Sequence, residues 1–268
     1  MRGADSATAA NPAGLSVVRG QFTVLGVHVA AVQIPDVISL IERWIASGTR
    51  GKYIALANVH MIMEAVHSRD FAEVLANADL VAPDGMPLIW SAKQQGIRLH
   101  RRVYGPDLLI DFCRSTENRN YRHFFFGGEP GVAEKMVRNL QKKFALNCVG
   151  TLSPPFRKVD KDEDRDIVET INAAHPDILW VCLGCPKQER WMYEHRADIN
   201  AAVMVGVGQA FNIYAGTVKQ APSFMRENGL EWLFRLGHEP KRLWRRYFIY
   251  NTKFIYYQLL QRLRLRYF

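Results

Sequence analysis

Long uninterrupted apolar runs are missing from this chain of 268 residues. A bilayer-spanning helix needs about 18 or more consecutive apolar residues. The nearest approach, "AAVMVGVGQAFNIYAG" (201–216), is shorter and is broken by Gln209 and Asn212. Cysteine is also scarce. Cys113, Cys148, Cys182 and Cys185 are too few to staple a chain of this length, so a disulfide framework is excluded. Residues 1–20, "MRGADSATAANPAGLSVVRG", contain no apolar run of signal-peptide length and are rich in small side chains. They read as a flexible N-terminal segment, and a reducing cytoplasm is the expected compartment. Acidic residues are nearly absent from the C-terminal stretch: Glu239 stands alone against nine Lys or Arg between Arg235 and Phe268.

That last shortage shapes the charge. The formal net charge is +9, and the stretch from Arg235 onward carries +8 of it. The body is therefore almost neutral and the tail strongly basic, which points to an anionic partner at the tail. Hydrophobic residues make up 48% of the chain, enough for a sizeable core.

Apolar periodicity gives alternating elements. Strands are expected at "QFTVLGVHVAAV" (21–32), 52–58, 79–85, 122–128, "LNCVGTL", 176–184 and 201–208, with helices between them. This pattern predicts an α/β fold: a Rossmann-like, mostly parallel sheet with helices on both faces, over residues 21–228, and a basic helical C-terminal appendage over 229–268. In such sheets ligands sit beyond the carboxyl ends of the strands. Those ends here carry "AN-VH", "PDG", "GGEPG", "GCPKQE" and "GVGQAFN".

Each of these motifs has two readings. Asp84 at a strand end could be a general base or the N-cap of a helix starting at "GMPLIW". "FFFGGEPGVAEK" (124–135) joins a strand to a helix through Gly127 and Gly128. It suits a phosphate at the helix N-terminus or a simple tight turn, and it is neither G-x-G-x-x-G nor a P-loop. In "LGCPKQERW" the spacing of Cys182 and Cys185 suggests a redox pair. However, Cys182 falls inside an apolar strand, and there is no second C-x-x-C and no nearby His pair to complete a zinc site. Arg101 and Arg102 are either diphosphate-neutralising groups or a solvated pair. The tail interleaves basic residues with Trp232, Trp244, Phe248, Phe254 and other apolar side chains. An interfacial membrane helix is the leading reading. A single-stranded nucleic-acid surface and a packed helical cap are the alternatives, and without lipid the tail must pack on something, a second copy included.

Taken in order, "ANVHMIMEA", "ADLVAPDGMPLIW", "RVYGPDLL", "FFFGGEPGVAEK", "PDILWVCLGCPKQERW", "GVGQAFNIYAG" and "RENGLEWLFRLGHEPKRLWRRY" resemble the WecG/TagA/CpsF glycosyltransferases, glycosyltransferase family 26, over roughly residues 50–250. The resemblance implies an inverting enzyme without metal or other cofactor. Such an enzyme moves a sugar from a UDP-sugar to a polyprenyl-diphosphate-linked acceptor sugar, as a peripheral protein at the inner face of the plasma membrane, with no nucleic-acid partner. It further implies Asp84 as catalytic base, Arg102 as a second catalytic residue, and Gln188 and Asn58 as substrate-binding residues. Gly127, Gly128 and Phe156 join that substrate-binding set, and Arg235, Arg242, Arg245 and Arg246 are expected to contact membrane or diphosphate. Two positions depart from the family pattern: its T-x-N threonine is Leu56, and the aspartate of its F-D-F-x-A-G loop is Asn212. An amide both donates and accepts hydrogen bonds, so base recognition at Asn212 can persist in altered form. The bland alternative to the whole reading is a nucleotide-binding oxidoreductase built on the C-x-x-C loop.

Overall fold

The computed structural model describes residues 20–268 apart from 156, 158, 264, 266 and 267. The expected N-terminal flexible segment thus falls, but for Gly20, outside the described residues. The chain opens with a hairpin, β1 (Gln21–Val24) and β2 (Val27–Ala30). The sequence pattern predicts one strand over 21–32, and the structure corrects that. Leu25 and Gly26 both have positive φ, 47° and 83°, which is the two-residue turn that matches strand twist and folds an apparent single strand back on itself. Val24 faces Val27 across the turn.

The main sheet contains β3 (Lys52–Ala57), β4 (Leu80–Pro83), β5 (His123–Gly127), β6 (Cys148–Leu152), β7 (Ile178–Cys182) and β8 (Val203–Gly206). Their order is β4-β3-β8-β7-β5-β6, and every neighbouring pair is parallel. β4, β5, β7 and β8 are buried along their whole length. That is why they appear in the sequence as continuous apolar runs: both faces are covered by helices.

The helices are α1 (Ile34–Ala46), α2 (Val59–His67), α3 (Arg69–Ala76), α4 (Met86–Gln94), α5 (Gly105–Ser115), α6 (Val132–Gln141), α7 (Lys161–Ala173), α8 (Lys187–Glu194), α9 (Ala210–Ala215), α10 (Ser223–Glu227), α11 (Glu231–His238), α12 (Pro240–Arg245) and α13 (Thr252–Arg262). Period-two alternation divides the strand side chains between two faces. Ile54, Phe125, Trp180 and Val205 pack with α1, α5, α6 and α9. On the other face Ala55 and Val81 pack with α2, α3 and the hairpin, and Phe124, Phe126, Leu179 and Met204 pack with α7 and α8. The helices after β3 and β7 therefore lie opposite those after β8 and β5. In open sheets of this kind the crevice for a ligand lies at the carboxyl edge, where the connections switch faces.

From Glu231 to Arg262 the chain is mostly helical. A π-helical turn (Arg246–Asn251) joins α12 to α13. Leu243 and Phe254 are buried, while Phe248, Ile255, Tyr256, Leu259 and Leu263 are exposed. Among the described residues no helix is long and apolar enough to cross a membrane.

Candidate active site

Asp84 follows the last residue of β4. Its N–H donates to the carbonyl of Ala57 at 2.7 Å, which fixes it beside Asn58 at the end of β3. The cap reading of Asp84 fails. The N-cap of α4 is Gly85, with no side-chain cap bond. The Asp84 side chain is 19% exposed, and its Oδ1 is buried without a hydrogen-bond partner. Burial pushes the Asp84 carboxyl well above the usual carboxylate range, with Arg102 pulling it down and Glu231 pushing it up. A carboxyl so placed is a stronger base than an exposed one.

Arg102 comes from the loop ahead of α5. Its Nη1 donates to the main-chain carbonyl of Asp84 at 2.9 Å and lies 3.8 Å from Oδ1. Its Nη2 donates to Glu231, in the first turn of α11. The guanidinium stacks over the Tyr104 ring at 4.2 Å. Glu231 in turn lies 3.8 Å from Nη1 of Arg235. Asn58 caps α2, its Oδ1 accepting from the N–H of Met61 at 3.2 Å.

These groups surround a cavity of about 600 Å³ whose walls include Asn58, Asp84, Arg102, Tyr104, Arg235 and Tyr247. The far wall is the C-terminal appendage. It is seated on α2 by Tyr250, which donates to Glu64 at 2.8 Å and stacks on His60 at 5.2 Å.

Gly127, Gly128, Gln188 and Asn212 lie elsewhere on the carboxyl edge and do not line this cavity. Gly127 and Gly128 end β5 with φ of 112° and 78°. The Gly128 N–H donates to the carbonyl of Cys182 at 2.9 Å, and a Cβ on Gly127 would come within 2.4 Å of the same oxygen. Gln188 is buried at 4% exposure. Its Oε1 accepts from the Gly184 N–H at 3.2 Å and its Nε2 donates to Glu189 at 2.7 Å, so the amide shapes its own loop. Asn212 accepts from the Thr217 hydroxyl at 3.2 Å. Arg245 is exposed over Trp244. Phe156 and the side chains of Arg242 and Arg246 lie outside the described residues.

Cys182 lacks the chemistry of a redox cysteine. Cys182 is buried, donates to the Gly208 carbonyl, and burial pushes its thiol up to about 12, leaving almost no thiolate at neutral pH. Neither Cys182 nor Cys185 is in a disulfide. Among the described residues no group of His, Cys, Asp and Glu is arranged to hold a metal ion.

Sequence reasoning missed Glu231, Tyr104 and Arg226, all of which line the cavity. Signals were present: Tyr104 sits within "RVYGPDLL", and Glu231 is an acid at the threshold of a basic tail.

Fold and site define an α/β protein with a buried carboxyl, an arginine cluster and a large cavity at the carboxyl edge of a parallel sheet. The chain belongs to the Glycosyl transferase WecG/TagA/CpsF family, whose profile matches residues 22–267. It is similar to the N-acetylglucosaminyldiphosphoundecaprenol N-acetyl-beta-D-mannosaminyltransferase of Bacillus spizizenii, 30% identical over 80% of this chain and 81% of the relative. The Bacillus subtilis protein of that name is 28% identical over 78% of this chain and 80% of its own length. The one from Staphylococcus aureus is 26% identical, covering 83% and 86%.

Proposed function

We propose that this glycosyltransferase moves a sugar from a UDP-sugar to a sugar carried on a polyprenyl diphosphate, with inversion at the anomeric carbon. The observation that carries this is the Asp84 carboxyl, whose Oδ1 is buried without a hydrogen bond, facing a cavity that also presents Arg102 and Arg235. The names of the relatives support the acceptor class, since each describes a transferase acting on a diphosphoundecaprenol-linked sugar.

In this mechanism Asp84 takes the proton as the acceptor's O–H bond breaks. The oxygen bonds to the anomeric carbon from the face opposite the UDP. The bond from that carbon to the diphosphate breaks, and its electron pair leaves with UDP. Arginines meet the charge that gathers on the diphosphate, with Arg102 and Arg235 nearest the base. Asn58 orients the substrate hydroxyls. Gly127, Gly128 and the 184–189 loop form the adjoining crevice for the nucleotide, with Asn212 at its edge.

The appendage brings the protein to its acceptor. Phe248, Ile255, Tyr256, Leu259 and Leu263 are exposed alongside the exposed bases Lys241, Arg245, Lys253 and Arg262. Apolar insertion plus attraction to anionic lipid, about 1 kcal/mol per basic residue near the surface, favours peripheral binding to an anionic membrane. The test is sugar transfer from a panel of UDP-sugars to membrane-borne acceptor. Transfer from one of them supports the reading, and a protein that folds and binds vesicles yet transfers none contradicts it.

A further inference from the structure

Arg102 has two prongs, and neither is spent on the Asp84 carboxylate. Nη1 donates to the Asp84 main-chain carbonyl at 2.9 Å and Nη2 donates to Glu231. The Asp84 Oδ1 stays 3.8 Å from Nη1, outside hydrogen-bond range. Without Glu231 the guanidinium has every electrostatic reason to turn onto Asp84. The two are already neighbours, and a planar fork binds a carboxylate at two points. A carboxylate engaged that way is a poor proton acceptor, because its lone pairs are occupied and its charge is stabilised.

We propose that Glu231 is a positioning residue of the sugar transfer: it holds Arg102 off the Asp84 carboxylate and so keeps that carboxylate open to take the acceptor's proton. The inference rests on Asp84 being the base. Glu231 opens α11, the first helix after Gly229, so the base is set up only when the appendage lies across the site. Tyr104, stacked under the guanidinium, restricts Arg102 to one plane. Arg235, one helical turn on, balances the second oxygen of Glu231. The charged and titratable groups facing Asp84 are Arg102 ahead of α5, Asp107 on α5, and Glu231 and Arg235 on α11, with Tyr104 and His60 on the cavity wall.

The test compares wild-type protein with Glu231→Gln and Glu231→Ala. Gln removes the charge but leaves an acceptor for Arg102, whereas Ala releases Arg102. Two readouts are used. One is the titration of the Asp84 carboxyl by carbon NMR, assigned by its loss in Asp84→Asn, which requires no activity. The other is the pH profile of kcat. The Asp84 midpoint is expected to fall in the order wild type, Gln, Ala, by about 1 pH unit for Ala. The acid limb of kcat moves the same way, and its plateau drops about tenfold as the base weakens. An Ala midpoint no lower than the Gln midpoint, which loss of the Glu231 charge alone would give, or a midpoint that stays in place or rises in both variants, overturns the inference. A midpoint that falls while wild-type protein transfers no sugar upholds the Glu231–Arg102 arrangement and sinks the transferase mechanism instead.

Discussion

Arg226 of α10 sets one guanidinium nitrogen 3.0 Å from both carboxylate oxygens of Asp107, in the first turn of α5, across 119 residues of chain. The same guanidinium lies 5.6 Å from the Tyr104 ring. The pair anchors the last helix before the appendage to the helix that follows the Arg102 loop. Arg226→Ala leaves the core packing intact but frees that anchor. Transfer is expected to fall about 10- to 100-fold, the cost of roughly an ångström of misplacement, while the melting temperature changes little. Equal loss of Tm and activity in a thermal melt would make the pair a mere stability feature.

Asp84→Asn removes the proposed base and keeps the shape. Turnover drops about 10²–10⁴-fold with UDP-sugar affinity roughly retained. Stability moves the other way. The folded Asp84 carboxyl titrates above its unfolded value because of burial, so it favours folding only at low pH, and that benefit is lost as pH rises through the folded value. Above the usual carboxylate range the raised titration therefore costs stability, and the Asn variant melts higher than wild type. The advantage of Asn shrinks as pH falls, which a melt series over pH checks.

Truncation after Gly229 removes a cavity wall, Glu231 and Arg235 together with the exposed apolar and basic face. Vesicle binding and transfer to lipid-linked acceptor both decline. Full activity of the truncated chain on membrane-borne acceptor contradicts the role given to the appendage.

The parallel sheet was legible in the sequence because buried parallel strands are continuous apolar runs, as in "PDILWVCLG". Asp84 and Asn58 were legible as neighbours because a parallel sheet delivers every strand's carboxyl end to one edge, whereas Arg102, on the loop ahead of α5, was singled out through the resemblance at "RVYGPDLL". The hairpin was missed because Leu25 adopts positive φ, a conformation its residue type disguises. Glu231 was missed for a different reason. Its partner Arg102 is 129 residues away, and no local spacing announces a pair formed when a C-terminal helix folds over a sheet edge. Gln188 was legible as a conspicuous polar residue in a turn, but its burial and its bonds to Gly184 and Glu189 depend on β8, whose Gly206 leaves room for the amide.

Gly127→Ala tests the strand-end geometry independently of chemistry. The added Cβ meets the Cys182 carbonyl oxygen at 2.4 Å, at a φ of 112° that side chains avoid. A loss of about 1–3 kcal/mol in unfolding free energy is expected. Cys185→Ser, by contrast, leaves transfer unchanged, and a loss of activity there would revive the redox reading of the loop.

The most direct measurement follows sugar transfer from a panel of UDP-sugars, with one GDP-sugar as control, to polyprenyl-diphosphate-linked acceptors in a membrane fraction, with and without EDTA. The account predicts label in lipid from one UDP-sugar, undiminished by EDTA and reduced about 10²–10⁴-fold in Asp84→Asn. Near-normal transfer in Asp84→Asn, or transfer that occurs only from the GDP-sugar, contradicts it.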